Sequence, residues 1–268
     1  MVSNSCKKRF SKIMMEEMEL VAQEEIAPRI YSMILKGEMV AQMLPGQFLH
    51  IRVPDGSKLL RRPISISEID PETQTCRLIY RIEGGGTAIF SQLPIGSKLS
   101  VMGPQGNGFD LTNLGQGQKA LIIGGGIGVP PLVQVAKQLH EQGVEVKVVV
   151  GFATKEAVIL EEELSQVAHV TVTTDDGTYG TKGYVSTVID QMDQEFDAIY
   201  SCGAPGMLKY VNTKFHDHPR AYISMESRMA CGMGACYACV VHLENESQAA
   251  NKRVCEDGPV FETGTIVM

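Results

Sequence analysis

Four cysteines near the carboxyl terminus carry the densest chemistry in the chain. Cys231, Cys236 and Cys239 are separated by four and then two residues, and Cys255 follows after fifteen more. Four thiolates at this spacing can hold a [2Fe-2S] cluster, two per iron, when the first three lie on a loop wrapped closely around the inorganic core. Gly232, Gly234 and Ala235 suit that wrapping. Without bulky side chains, backbone N–H groups can approach the sulfurs, stabilise their negative charge and tune the reduction potential. A structural zinc site is the alternative, although zinc more often sits between two short paired knuckles than at a crowded triplet with a distant fourth ligand. Disulfides fit worse, since nothing marks the chain for an oxidising compartment. Met225, Met229 and Met233 flank the loop and read as flexible packing that keeps water from the centre.

Two glycine-rich turns are the next chemically suggestive features. Gly124-Gly125-Gly126-Ile127-Gly128-Val129-Pro130-Pro131 follows an apolar run and lets backbone approach a pyrophosphate before proline opens a helix, although it lacks the strict dinucleotide fingerprint. Glu83-Gly84-Gly85-Gly86-Thr87 sets consecutive flexible amides before a helix expected at Ala88 to Leu93, an arrangement suited to phosphate. Cys202 stands at the end of an expected strand, just before Gly203-Ala204-Pro205-Gly206-Met207, where a small side chain can face a nicotinamide ring or simply pack. Cys6 and Cys76 read as incidental or structural, His216 and His218 as solvent-facing loop residues, and Glu161-Glu162-Glu163 as a solvated helix face. No Ser/His/Asp or paired-carboxylate constellation stands out.

These groups need a scaffold, and the hydropathy pattern supplies one. Short alternating runs at Ile30 to Leu35, Gln47 to Val53, Arg61 to Ser67, Cys76 to Ile82 and Lys98 to Met102 read as strands of a small antiparallel barrel. From Ala120 the pattern becomes strand, helix, strand: Ala120 to Ile123, Pro131 to Gln142 and Val144 to Val150. Further units at Val170 to Thr174, Tyr184 to Gln191 and Ala198 to Cys202 extend a parallel sheet, whose strand ends are where ligands bind. The order of expectation is therefore α+β and multidomain: antiparallel β-barrel, α/β parallel-sheet nucleotide-binding domain, and a small C-terminal cluster domain.

Composition narrows the partners. The 268 residues suggest about two domains of ordinary hydrophobicity, 44% of residues being apolar, and a net charge of −7 argues against nucleic acid or an anionic membrane. The longest apolar run, Ala120 to Val133, is interrupted by glycine and proline and is too short to span a bilayer as a helix. Lys7, Lys8, Arg9 and Lys12 are followed by an acidic stretch rather than a signal-peptide core, so a cytoplasmic protein is expected. Residues 1 to about 14 read as an extension, with Met14 or Met15 as an alternative start.

The order of barrel, glycine-rich α/β region and cluster loop resembles the ferredoxin reductase-like flavoproteins over nearly the whole chain from about residue 18. In that family an Arg followed by Ser or Thr marks the flavin strand, a place held here by Arg62, Pro63, Ile64 and Ser65. The resemblance implies that Arg62 pairs with the FAD pyrophosphate and that Ser65 hydrogen-bonds near the redox-active edge. It also implies that Ile79, Tyr80, Arg81, Gly86 and Thr87 hold the rest of FAD, and that Gly124, Gly126 and Gly128 serve NAD. Many ferredoxin reductases carry Tyr where this chain has Ile64, which removes an aromatic stacking partner.

Together with Cys-Gly-Ala-Pro-Gly-Met and a cluster loop closing at Arg253-Val254-Cys255-Glu256-Asp257-Gly258-Pro259, these motifs look like one subfamily, the electron transfer subunits of bacterial B-type dihydroorotate dehydrogenases. The resemblance implies a complex of two copies of each chain with an FMN-containing catalytic subunit that oxidises dihydroorotate in pyrimidine synthesis. It divides the chain into an extension (1–15), an FAD-binding barrel (16–112), an NAD-binding domain (113–222) and a [2Fe-2S] domain (223–268). Too few residues then remain for a (β/α)₈ barrel of roughly 250 residues, so the substrate chemistry is expected in another chain. NAD is expected over NADP because Gly151 to Glu156 offers no Arg for a 2′-phosphate, leaving only Lys155. Two rival readings remain: a reductase serving a different acceptor, such as an oxygenase, hydrogenase or bifurcating complex, and a non-catalytic zinc-holding interaction module.

Overall fold

The structure, a computed structural model, describes residues 13–192, 195–244 and 250–268. Cys6 and residues 1–12 of the expected extension lie outside those residues. Six antiparallel strands close into a barrel in the order β1-β2-β5-β4-β3-β6: β1 (Met14–Ala27), β2 (Ile30–Lys36), β3 (Phe48–Ile51), β4 (Arg62–Asp70), β5 (Thr75–Arg81) and β6 (Lys98–Gln105). Closure removes the exposed strand edges that would otherwise invite pairing with another chain. The first strand already includes Met14 and Met15, which pair with Gly103 and Met102. Alternating residues such as Met33, Leu35, Leu49, Ile51, Ile66 and Leu78 fill the interior, each burial contributing about 1.5–3 kcal/mol before entropy is counted.

Helix α1 (Gly85–Phe90) caps the barrel and starts three residues earlier than the sequence pattern suggests. The glycines join the helix because the Thr87 hydroxyl accepts from the amides of Glu83 and Gly84 at 3.1 and 3.3 Å, closing the turn.

The second unit is a seven-stranded sheet in the order β10-β9-β8-β7-β11-β12-β15, parallel except at its last strand. Its elements are β7 (Lys119–Gly125), α2 (Val133–Glu141), β8 (Glu145–Phe152), α3 (Glu161–Ser165), β9 (His169–Thr174), β10 (Thr181–Lys182), α4 (Val185–Ile189), β11 (Ala198–Cys202), α5 (Pro205–Lys214) and β12 (Ala221–Ser224). Pro130 and Pro131 form a separate 3₁₀ turn ahead of α2 rather than its first residues. The cysteine-bearing segment is an excursion between neighbouring strands: it leaves β12, forms the small hairpin of β13 (Val240–His242) and β14 (Asn251–Arg253), and returns as β15 (Val260–Glu262), antiparallel to β12. Among the described residues no helix is long and apolar enough to cross a membrane.

Two contacts fix these units to one another. Asn107, just beyond β6, donates its amide N–H to Gly258 O at 2.6 Å and its side chain to Asp257 O at 2.9 Å. On the opposite side, Arg77 and Lys137 alternate with Glu68 and Glu163: Arg77 Nη1 lies 2.7 Å from Glu68 and 2.8 Å from Glu163, and Lys137 Nζ 2.9 Å from Glu163 and also against Glu68. Glu163 therefore departs from the expected solvated acidic face, of which only Glu162 is fully exposed. Charge pairing explains the difference, because β5 and α2 bring two cations to α3.

Burial works against ionisation of Glu163, but hydrogen bonds from Lys137 and Arg77 outweigh it and hold the carboxyl below its usual range. Its contribution is thus full above the unfolded carboxylate pKa of about 4.3 and disappears as pH falls through the lower folded value. Glu163→Gln should cost about 1–2 kcal/mol in urea unfolding at neutral pH, between exposed and buried pairs. The difference from wild type should narrow as the pH is lowered past that range.

Candidate functional site

The cysteine loop follows β12 and is turned back on itself by left-handed backbone at Gly232 (φ 68°), Gly234 (φ 77°) and Tyr237 (φ 56°). That path points amides inward: Met233 N–H donates to Cys231 Sγ at 3.4 Å, Gly234 N–H to Cys255 Sγ at 3.1 Å, and Cys255 N–H to Cys239 Sγ at 3.4 Å. Cys255 ties the returning segment to the loop, its amide on Cys239 sulfur and its own sulfur under the Gly234 amide. Cys239 and Cys255 are buried, Cys231 is half-buried and Cys236 is exposed. Backbone hydrogen bonds from Cys231 and Ala238 draw the Cys236 thiol down to about 7, whereas burial pushes Cys255 up to about 12. Among the described residues no three His, Cys, Asp or Glu side chains converge on a single-ion position. Four cysteines whose sulfurs are met by backbone amides suit an iron–sulfur core.

One organising residue escapes the spacing argument. Arg253 donates from Nη1 to Gly234 O at 2.8 Å, pairs with Glu256 at 2.7 Å and Asp257 at 3.3 Å, and lies 5.1 Å over the Tyr237 ring. The signal available was a cation two residues before Cys255. Of the three methionines, Met225 and Met229 pack against the adjoining core, whereas Met233 is 48% exposed.

The barrel brings the expected flavin residues together unevenly. The Arg62 guanidinium lies directly over Gly86, where an added β-carbon would come 2.6 Å from Nε, so strand β4 and the Gly-Gly-Gly-Thr turn form one cationic, amide-rich surface. Pro63 and Ser65 are half-buried, whereas Ile64 points into the barrel core. Tyr80 is committed to that core as well, its hydroxyl donating to Gln23 Oε1 at 3.1 Å, so its backbone is what it offers a cofactor. Ile79 packs instead against the core of the parallel sheet. Arg81 and Glu83 pair at the barrel rim, with Arg81 Nε 2.9 Å from Glu83 Oε1.

That rim opens onto a cleft of about 1090 Å³ at the carboxyl ends of the sheet strands. Gly126, Gly128 and Gly203 line it with Arg81 and Glu226. Gly124 does not; it is enclosed by Val129, Val150 and Leu132. Gly128 allows close approach of two turns, since a β-carbon there would fall 2.6 Å from the Cys202 carbonyl. Cys202 is 2% exposed and packs in the core of the sheet, and burial pushes its thiol up to about 12, so it is a neutral packed side chain that does not line the cleft, rather than a nucleophile. His216 and His218 are not together: His216 bridges Asp217 and Glu244 at 2.7 and 3.0 Å, and His218, only partly exposed, contacts Phe196 O at 2.9 Å.

Two acidic residues of the cleft were missed. Glu226 is accessible within it, yet desolvation by the walls, followed by the charge of Glu83, raises its carboxyl above the usual range. Asp175 lines the cleft just past β9, beside Asp176. The available signal was the Asp-Asp-Gly step at a strand end. An exchange Cys236→Ser should abolish most of the bound iron, measured by metal analysis of anaerobically purified protein, while FAD absorbance persists; unchanged iron would exclude Cys236 as a ligand.

Three sequence families match in series: "Oxidoreductase FAD-binding domain" over 17–109, "Oxidoreductase NAD-binding domain" over 122–213, and "Iron-sulfur cluster binding domain of dihydroorotate dehydrogenase B" over 226–267. The dihydroorotate dehydrogenase B (NAD(+)) electron transfer subunit of Streptococcus mutans is 68% identical over 256 residues, covering 96% of this chain and 99% of that one. Its counterpart in Enterococcus faecalis is 47% identical, covering 94% and 98%. In three dimensions the chain is similar to an NADH-dependent reduced ferredoxin-NADP oxidoreductase, with TM-score 0.82, 28% identity and coverage of 94% and 90%. The ferredoxin reductase of carbazole 1,9a-dioxygenase shares the fold, with TM-score 0.66 and 22% identity over 78% of this chain and 67% of that one. The chain therefore belongs to the family of dihydroorotate dehydrogenase B electron transfer subunits, oxidoreductase components that bind FAD, NAD and an iron-sulfur cluster.

Proposed function

We propose that this chain carries electrons from the FMN of a dihydroorotate-oxidising catalytic subunit, through a [2Fe-2S] cluster and FAD, to NAD⁺ in pyrimidine biosynthesis. The observation that supports this most directly is the set of backbone amides turned toward the sulfurs of Cys231, Cys239 and Cys255 on a loop that packs against the barrel. Bound FAD supplies the conversion between one-electron exchange with the cluster and two-electron hydride exchange with nicotinamide.

Each segment of the chain then has a separate task. The four cysteines hold the irons, and the amides of Met233 and Gly234 moderate the negative charge on the sulfurs. Arg62 and the Gly84 to Thr87 turn neutralise the FAD pyrophosphate, while Pro63 and Ser65 present the outer face of β4 to the flavin. Gly126 and Gly128 admit the NAD pyrophosphate, and Gly203, just past the buried Cys202, lines the same cleft. The division into barrel (16–112), nucleotide domain (113–222) and cluster domain (223–268) follows these tasks. Cys236 is exposed with Met233 and Tyr237, 48% and 62% accessible, so this end of the loop can receive electrons from the partner. An assembly of two copies of each subunit in the cytoplasm, where thiols stay reduced, completes the proposal.

Asp175 gives a physical reason for NAD over NADP, because a carboxylate lining the cleft disfavours a 2′-phosphate. Asp175→Asn should raise kcat/KM for NADPH relative to NADH about tenfold, equivalent to about 1.4 kcal/mol, in an assay with an artificial acceptor. The function itself is tested by following NADH formation from dihydroorotate and NAD⁺ with this chain and an FMN-containing catalytic subunit, omitting each in turn. Formation only when both are present is expected. If the yellow-brown chain oxidises NADH with an artificial acceptor but the mixture forms none, the partner assignment fails while the flavoprotein assignment stands.

A further inference from the structure

Three side chains among the described residues bury polar atoms without a hydrogen-bond partner: His50, Ser67 and Gln105. Buried donors and acceptors left alone cost about 1–3 kcal/mol each, so an unpaired group in a native interior calls for an explanation. His50 is unpaired at both ring nitrogens, and Gln105 at both amide atoms; the two side chains are 0% and 1% exposed.

They lie together at one place. Leu49 and Ile51 of β3 point into the barrel, so Phe48 and His50 take its outer face. Phe48 accordingly belongs to the core shared with Cys239, Cys255 and Phe261. Register sets His50 opposite Pro63 and Phe48 opposite Ser65, on the strand that carries the flavin residues. On the other side β6 brings Gln105 opposite Phe48. The cluster loop closes over this pair. A β-carbon at Gly232 would run into His50 Nδ1 and come 2.8 Å from Gln105 Oε1, so glycine there lets the backbone next to Cys231 rest on both side chains.

We propose that His50 and Gln105 form a polar bridge between the flavin strand and the cluster loop, as positioning residues: the His50 ring engages the Cys231 end of the loaded cluster through an N–H, Gln105 Oε1 accepts from the loop backbone, and together they set the cluster's one-electron exchange with the flavin. This rests on the reading of Cys231, Cys236, Cys239 and Cys255 as the cluster ligands. Hydrogen-bond donors directed at cluster sulfur stabilise the reduced, more negative form, and those held by a rigid barrel strand do so without reorganising. Ser67, on another part of β4, takes no part in this bridge.

The test is an anaerobic redox titration followed by the cluster's electron paramagnetic resonance signal and by flavin absorbance. Four proteins are compared: the wild-type chain in complex with its catalytic subunit, and the His50→Leu, Gln105→Leu and His50→Gln variants prepared in the same complex. Iron, FAD and the rate of flavin bleaching by NADH should match wild type in all four. In His50→Leu the equilibrium between reduced cluster and oxidised flavin should move about tenfold toward oxidised cluster, about 59 mV for a one-electron couple. Gln105→Leu should move it in the same direction, and His50→Gln should restore most of the shift. Unchanged equilibria in both leucine variants would overturn the bridge, as would an equal shift in His50→Gln. Loss of iron from both leucine variants would also overturn it, by reducing the pair to loop support. Retention of iron by Cys236→Ser would instead remove the ligand reading beneath the proposal, whatever the His50 variants do.

Discussion

The arrangement of the whole chain depends on a short-range constraint: single electrons pass efficiently only between centres held close and rigidly, so barrel and cluster segment must meet backbone to backbone. Asn107 supplies that contact. Its amide and side chain bind the carbonyls of Gly258 and Asp257, immediately after Cys255, and Gly106 beside it has no room for a β-carbon against Pro259. Because Asn107 lies two residues beyond the end of β6, the end of the barrel is tied to the segment just after the last cysteine. The ion-pair lattice of Arg77, Lys137, Glu68 and Glu163 holds the opposite side of the barrel to the parallel sheet. A partly buried four-charge lattice resists sliding, since any displacement leaves two carboxylates facing each other with less compensation.

Much of this was legible in residue spacing. The cysteine interval, the glycine turns and the change from alternating to continuous apolar strands are local patterns, and local patterns are what a sequence displays. Ala198 to Cys202 forms the expected strand residue for residue. Apart from the start of two helices, the misreadings concern partners distant in the chain. Glu163 looks solvated beside its acidic neighbours until β5 and α2 deliver Arg77 and Lys137. Tyr80 belongs to a motif associated with flavin, but the parity of β5 turns its ring inward to the barrel core, where it meets Tyr31 and Phe90. Asn107 carries no motif; it matters through what a separate element places against it.

Within the cleft the same distinction separates backbone from side chain. Glycine positions such as Gly126 and Gly128 announce themselves because only a missing side chain permits close approach, and the structure shows what approaches Gly128, namely the carbonyl of Cys202. Acidic residues announce less. Asp175 is one carboxylate among many until β9 brings it to the rim of the cleft, and Glu226 is one residue of a cysteine-rich stretch until its desolvation is seen.

The passage of the cysteine segment out from β12 and back as β15 has a consequence for how the centre is built. Neighbouring strands lie about 4.8 Å apart, so the two ends of a segment of more than thirty residues are already joined before any metal arrives. The entropy of closing such a loop, which grows only with the logarithm of its length, is met by hydrogen bonds of the sheet rather than by iron–sulfur bonds. Metal insertion is left with the smaller task of ordering a tethered hairpin, so the nucleotide sheet can reach its native topology first and receive its inorganic centre afterwards.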